Sequence, residues 1–401
     1  MKTKKLVITI IIIIVAVVIT GFIAAKIFQY VVKDITEREV ARITQGEVDR
    51  ITQEEIERIT GEKNREVTNH IMGSDTADYQ CVLTPKAREF VSPLYYTGPL
   101  IDSHVHMPVF SKIVSTVAIQ SGFQDMPSFE DELTIDYIIC LFDGEGIKNS
   151  FGFYLVPNPV IGSTIRGVKD IEKKYPEKIT EFYMPTQLPG LNPSPSKFKE
   201  ILDDNKGLFK GYGEVKFAFF EIENQEPDDP EYLESYSIAD YNNLIIMMHP
   251  NPNNIDVVES ILKSHPNTIF LFHGLERAKD EIINLIKNYE NAYYSIDAVM
   301  TYIYGWDYPK HETKGPTKEE YLAYIRENFD SVLNEAVDEW KPLIEEYPNK
   351  FMWGTDRWYS WHFDYEVGGL LEEMGRSFIG QLDPAVQEKF AYKNAERLLQ
   401  N

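Results

Sequence analysis

Cysteine is nearly absent from this sequence: Cys81 and Cys140 are the only two in 401 residues. They make neither a metal-binding pair nor a disulfide framework, and Cys140, inside the apolar run YIICLF, reads as a core residue. Positive charge is also in short supply. Lys and Arg number 40 against 63 Asp and Glu, a formal net charge of −23. Such a chain repels phosphate backbones, which argues against nucleic acid as a partner unless a metal bridges the contact. Small-molecule or peptide substrates fit better. Disorder of the bulk is excluded as well, because 43% hydrophobic and 13% aromatic residues are ample for a packed core.

The N-terminus does carry a long apolar run, Leu6 to Ala25, behind Lys2, Lys4 and Lys5. About 20 uncharged residues suit a membrane-crossing helix. The rival reading is a cleaved signal peptide, whose apolar region is usually only about 7–15 residues long. An uncleaved anchor over residues 1–30 is the expectation, with its basic flank in the cytoplasm and the remainder extracytoplasmic, although Lys26, Lys33 and Arg38 weaken that asymmetry. Residues 31–94 then form a linker. Its core is a repeat with a period of 8 residues, ITEREVAR, ITQGEVDR, ITQEEIER and ITGEKNRE. The apolar positions drift around a helix and hold no coiled-coil seam. A solvated helical stalk, with some scope for self-association, is expected, and a charged linker with transient helix is the alternative.

Residues 95–401 have a different texture, with apolar strand-like runs alternating with amphipathic helical stretches. Strands are expected near 100–106, 137–143, 179–185, 211–217, 243–249, 268–273, 292–298 and 351–356. Alternating β and α implies parallel strands, and eight such units in about 300 residues predict an α/β protein of the (β/α)8 TIM-barrel class. The stretch from Met300 to Lys350 is too long for one crossover. It predicts a loop around Tyr302 to Pro316, then a long helix or helix pair through Tyr321, Ile325, Phe329 and Leu333.

Chemistry is expected at the carboxyl ends of these strands. In IDSHVHM, His104 and His106 are two apart, so a strand sends both imidazoles to one side. LIIMMHP ends at His249, TIFLFHG at His273, and FMWGTDRW places Asp356 at the end of the last strand. One such histidine reads as a core or loop residue. Four of the eight histidines at strand ends do not. On the fourth strand, GYGEVKF puts Glu214 and Lys216 on one face, either as metal-site residues or as a supporting ion pair.

Taken as a set, the HxH, His, His, Asp order from Ile101 onward resembles the amidohydrolase superfamily, in particular its amidohydrolase-related branch of metal-dependent barrels. LDPAVQEKFAYKNAERLL, with Asn394, Ala395, Arg397 and Leu398, is similar to that branch's closing helix. The resemblance implies a divalent metal, zinc or manganese, in one or two ions. By it His104, His106 and Asp356 hold the metal, His249 is a further ligand, and His273 either binds a second metal or orients the attacking water. Glu214 would bridge two ions, with a carbamylated Lys216 as the alternative bridge.

Zinc with an open position lowers the pKa of its water from about 15.7 to roughly 7. Asp356 is suited to take and return the proton, Arg357 either to bind a substrate carboxylate or to serve as a surface or ion-pair arginine, and Tyr294, Asp297 and Trp306 are further candidates near strand seven. The leading function is hydrolysis of an amide, ester, lactone or related bond. Nonoxidative decarboxylation of a small aromatic acid is the alternative, and a non-catalytic metal-binding barrel is the third reading.

Overall fold

The computed structural model of the chain describes residues 88–90, 92–112, 114–115, 126–129, 133–186, 191–216, 226–250, 254–274, 279–297 and 317–400. Eight strands, β1 (Leu100–His106), β2 (Ile147–Leu155), β3 (Ile179–Met184), β4 (Gly211–Lys216), β5 (Ile245–His249), β6 (Phe270–Phe272), β7 (Ala292–Ile296) and β8 (Phe351–Trp353), pair in sequence order. Every pairing is parallel. Just past β8 a bridge between Val105 and Arg357 brings the last strand back to the first, with the His106 N–H donating to the Arg357 carbonyl at 2.8 Å. The sheet is thus the near-closed barrel expected.

Between the strands run α1 (Ile135–Glu145), α2 (Ile161–Lys174), α3 (Pro195–Asp204), α4 (Pro230–Tyr241), α5 (Ile255–Ser264), α6 (Lys279–Asn288) and α7 (Lys318–Glu346). After β8 come α8 (Tyr365–Gln381), α9 (Pro384–Glu388) and α10 (Asn394–Leu399). Local chemistry sets several boundaries. Thr317 and Glu320 close a capping box at the start of α7, satisfying backbone donors that the first turn leaves open. The expected long helix is therefore one continuous element.

One expected strand is a helix. The run at 137–143 lies in α1, where Thr134 caps the Tyr137 N–H and Gly146, at φ 72°, ends the helix. A short apolar run bounded by turn residues cannot be assigned by periodicity, because a buried helix reads the same. Cys140 is buried there as expected, but it is disulfide-bonded. Cys81, the one other cysteine, lies outside the described residues.

The core has two layers. Inside the barrel Ile101, Phe151, Phe153, Phe182, Met247, Leu271 and Met352 pack together, and Ala395 and Leu398 of α10 join them. Asn394 ties that helix to the start of β8 by donating to the carbonyls of Phe351 (2.7 Å) and Pro348 (3.0 Å). The outer layer lies between the strands and the helices.

The expected membrane placement is corrected. Among the described residues no helix is long and apolar enough to cross a membrane, and Leu6 to Ala25, like the octad repeat, lies outside the described residues. The extracytoplasmic assignment rested on that run alone and is withdrawn.

Candidate metal centre

Strand alternation delivers the site. In β1, Val105 faces the helix layer, so His104 and His106 on either side of it face the barrel axis. In β4 the register shifts between Tyr212 and Val215, both of which face the helices. Gly213, at φ 126°, lies within that irregular step, where a Cβ would collide with the Met247 carbonyl oxygen. Glycine there lets β4 lie close to β5. Glu214 and Lys216 accordingly share a face. His249 is the last residue of β5, and His273, Asp297 and Asp356 lie just beyond β6, β7 and β8.

All of these side chains meet. His106 Nε2 lies 3.1 Å from Asp356 Oδ1 and 3.3 Å from Glu214 Oε2, while His104 Nε2 lies 3.5 Å and 4.0 Å from the same two atoms. All four are buried; no hydrogen bond satisfies His104 Nε2, His106 Nε2 or Asp356 Oδ1, and Glu214 Oε2 is met by Lys216 Nζ at 2.8 Å. On the other side of Glu214, Oε1 receives His249 Nδ1 at 3.0 Å and contacts His273 Nε2. Three overlapping groups of side chains could hold an ion: His104, His273, Asp297 and Asp356; His104, His106 and Glu214; and Glu214, His249 and His273.

The residues fit a divalent ion. At metal–ligand distances of about 2.0–2.1 Å, neighbouring ligand atoms lie about 3–3.4 Å apart, close to the spacings of 3.1, 3.3 and 3.5 Å and shorter than the 4.0 Å between His104 and Glu214. Imidazole with carboxylate is the donor set that zinc and manganese accept. Electrostatics agree. Burial alone would raise the Glu214 carboxyl, but Lys216 and His273 hold it well below the ordinary carboxylate range. Burial likewise opposes ionisation of Asp356, and His104 and His106 outweigh it. His273 resists its burial and is pushed up to about 10 by Glu214 and Asp297, while burial and the nearby His273 push His249 down to about 4.

Other candidates are placed differently. Lys216 Nζ pairs with Glu214 Oε2 at 2.8 Å. Arg357, expected to bind substrate, is fully buried, and its terminal nitrogens donate to Glu145 at 3.2 and 2.6 Å. That side chain braces α1. Tyr294 is buried too and donates to the Gly274 carbonyl at 2.6 Å, supporting the turn after His273. Trp306 lies outside the described residues.

Sequence reasoning missed Asp102 and Thr355. The buried Asp102 carboxylate accepts from the Thr355 N–H (2.9 Å), the Thr355 hydroxyl (2.6 Å) and the His104 N–H (3.2 Å). The next residue, Asp356, has φ 48° and donates its N–H to the His104 carbonyl at 2.8 Å. This brace fixes the histidine pair against Asp356 in a left-handed conformation that Asp tolerates better than most residues. Asp102 immediately precedes the SHVH run, but nothing in its spacing distinguishes it from a polar strand-edge residue.

An eight-stranded parallel barrel with imidazoles and carboxylates gathered at the carboxyl ends of its strands belongs to the metal-dependent barrel enzymes. The sequence pattern of the amidohydrolase family matches residues 101–400, most of the chain, and the protein belongs to that family. It is a metal-dependent enzyme, which sets aside the non-catalytic reading. No curated protein matches the chain.

Among solved structures it is similar to a probable 2-pyrone-4,6-dicarboxylic acid hydrolase from Acinetobacter baumannii with citric acid bound. The identity is 14% and the TM-score 0.47, covering 75% of this chain and 99% of the other. It is also similar to an amidohydrolase from Burkholderia multivorans with bound zinc, at 12% identity and TM-score 0.48 over 76% of this chain and 99% of that one. A dihydroxybenzoic acid decarboxylase from Polaromonas with bound manganese matches at 12% identity and TM-score 0.43 over 76% and 97%.

Proposed function

We propose that residues 95–401 form a metal-dependent hydrolase acting on an amide, ester, lactone or related bond of a small molecule. The convergence of His104 Nε2, His106 Nε2, Glu214 Oε2 and Asp356 Oδ1, four buried atoms of which Glu214 Oε2 alone is met from outside the set, by Lys216 Nζ, carries this reading. In it His104, His106 and Glu214, with Asp356 beside them, would hold one ion, and Glu214, His249 and His273 would hold a second. A divalent ion supplies Lewis acidity and brings the pKa of water down to roughly 7 in the case of zinc. Asp356 receives the proton of the attacking water and delivers it to the leaving group. Its side chain is 27% exposed, against 12% for His106 and none for His104 and Glu214, so substrate meets the site at Asp356. Lys216 neutralises Glu214 and stays an ammonium: burial would lower its pKa, but Glu214 and Asp356 raise it. The carbamylated bridge is therefore not adopted.

The test is elemental analysis of the full-length protein, followed by an activity screen with zinc or manganese across amides, esters, lactones and aromatic acids. Two ions per chain and metal-dependent hydrolysis are expected. Release of carbon dioxide from an aromatic acid without hydrolysis of any other substrate would replace this reading with decarboxylation. A chain that binds no ion would end it.

A further inference from the structure

Asp297 lies just beyond β7 and is buried. A single oxygen, Oδ2, faces two histidines, lying 3.4 Å from His104 Nδ1 and 3.2 Å from His273 Nδ1. Those histidines come from β1 and from the end of β6, and their other ring nitrogens point to different places. His104 Nε2 faces Asp356 and Glu214 Oε2, and His273 Nε2 faces Glu214 Oε1.

We infer that Asp297 is a positioning carboxylate that sets both histidines at once and so couples the two halves of the metal centre. An ionised carboxylate only accepts hydrogen bonds, so both Nδ1 atoms must donate to it. The proton of each neutral ring is thereby kept on Nδ1, and the Nε2 lone pair is left for an ion. A carboxylate behind a ligating imidazole fixes its tautomer and raises its basicity. Here one carboxylate does this for two rings. Asp297 reaches no substrate atom in this account. It acts through the rings it holds.

The inference rests on the metal reading above, and its test separates the two. Full-length protein is loaded with cobalt(II) for its visible spectrum and with zinc for chelator competition. Asp297→Leu is expected to weaken zinc binding about 10–100-fold, the usual cost of losing such a partner, and to shift the cobalt spectrum. Asp297→Asn keeps an acceptor oxygen and should recover much of that loss, which a merely space-filling role would not explain. A Leu variant with unchanged affinity and spectrum overturns the inference. If that variant does not fold, histidine-labelled wild-type protein loaded with zinc decides by nuclear magnetic resonance. Ring protons are expected on Nδ1 of His104 and His273, and a proton on Nε2 of either overturns the inference. Wild-type protein that binds neither zinc nor cobalt overturns the metal reading and this inference together.

Discussion

Two buried polar clusters lie together where β1 meets the end of β8, and their hydrogen bonding differs. Asp102, Glu145, Thr355, Arg357 and Arg376 have found partners. Asp102 takes three donors, Glu145 takes both terminal nitrogens of Arg357, and Arg376 donates to the carbonyls of Glu145 (2.8 Å) and Gly98 (2.7 Å). Only Arg357 Nε in that set is left over. In the neighbouring cluster, His104, His106 and Asp356 each leave one atom unmatched, and these three face one another and Glu214 Oε2, which Lys216 meets. A buried polar atom without a partner costs about 1–3 kcal/mol, so three at one point are costly unless something binds there. The first cluster reads as structure and the second as a site.

This contrast is best broken by mutation. The largest effect is expected for His104→Ala with His106→Ala, which should strip the metal and abolish turnover while circular dichroism and the urea midpoint stay close to wild type. Full metal occupancy in that double variant would sink the ligand assignment. Next comes Asp356→Asn, of similar volume but without the charge, which should lose more turnover than metal. An equal loss of both would remove its proton-transfer role.

On the structural side, Arg357→Met leaves Glu145 buried and uncompensated, so urea unfolding should show a loss of about 3–5 kcal/mol. Adding Glu145→Leu should recover most of it, because replacing both charges removes the unpaired one. Strong metal loss in either variant would mean that the two clusters are not separable.

Much of this division was legible in the chain. MMH and FLFH announce histidines at strand ends because each follows an apolar run of strand length, and HVH announces a pair on one face by its spacing of two. The choice for Arg357 between substrate binding and an ion pair was not legible, because its partner Glu145 lies 212 positions away on a helix that itself read as a strand. The true second strand, IKNSFGFYL, was hidden by Asn149, Ser150 and Gly152, which dilute its apolar pattern. Asp297 was legible as a candidate near strand seven, though its hold on two histidines was not. The run AYYSI ends just before it, as FMWGT ends before Asp356, and an acid at a barrel strand's carboxyl end is the same signal in both places.

The smallest expected effect asks whether an unmatched buried atom is enough to mark a site. Glu181 in β3 is buried with Oε1 unpartnered, yet no group that could hold an ion among the described residues includes it. Burial, aided by Glu172, pushes its carboxyl from 4.5 up to about 8. The folded protein therefore keeps a proton there that the unfolded chain releases at the lower pH. Stability from this group is full below about pH 4.5 and is lost as pH rises to about 8, at no more than about 1.4 kcal/mol per pH unit. Glu181→Gln stays neutral, so its urea midpoint should gain on wild type steadily between pH 5 and 8, with metal content and turnover unchanged. A constant difference across that range would show that Glu181 is already ionised in the fold. A loss of metal would show that one orphaned carboxyl, without convergence, suffices to make a site.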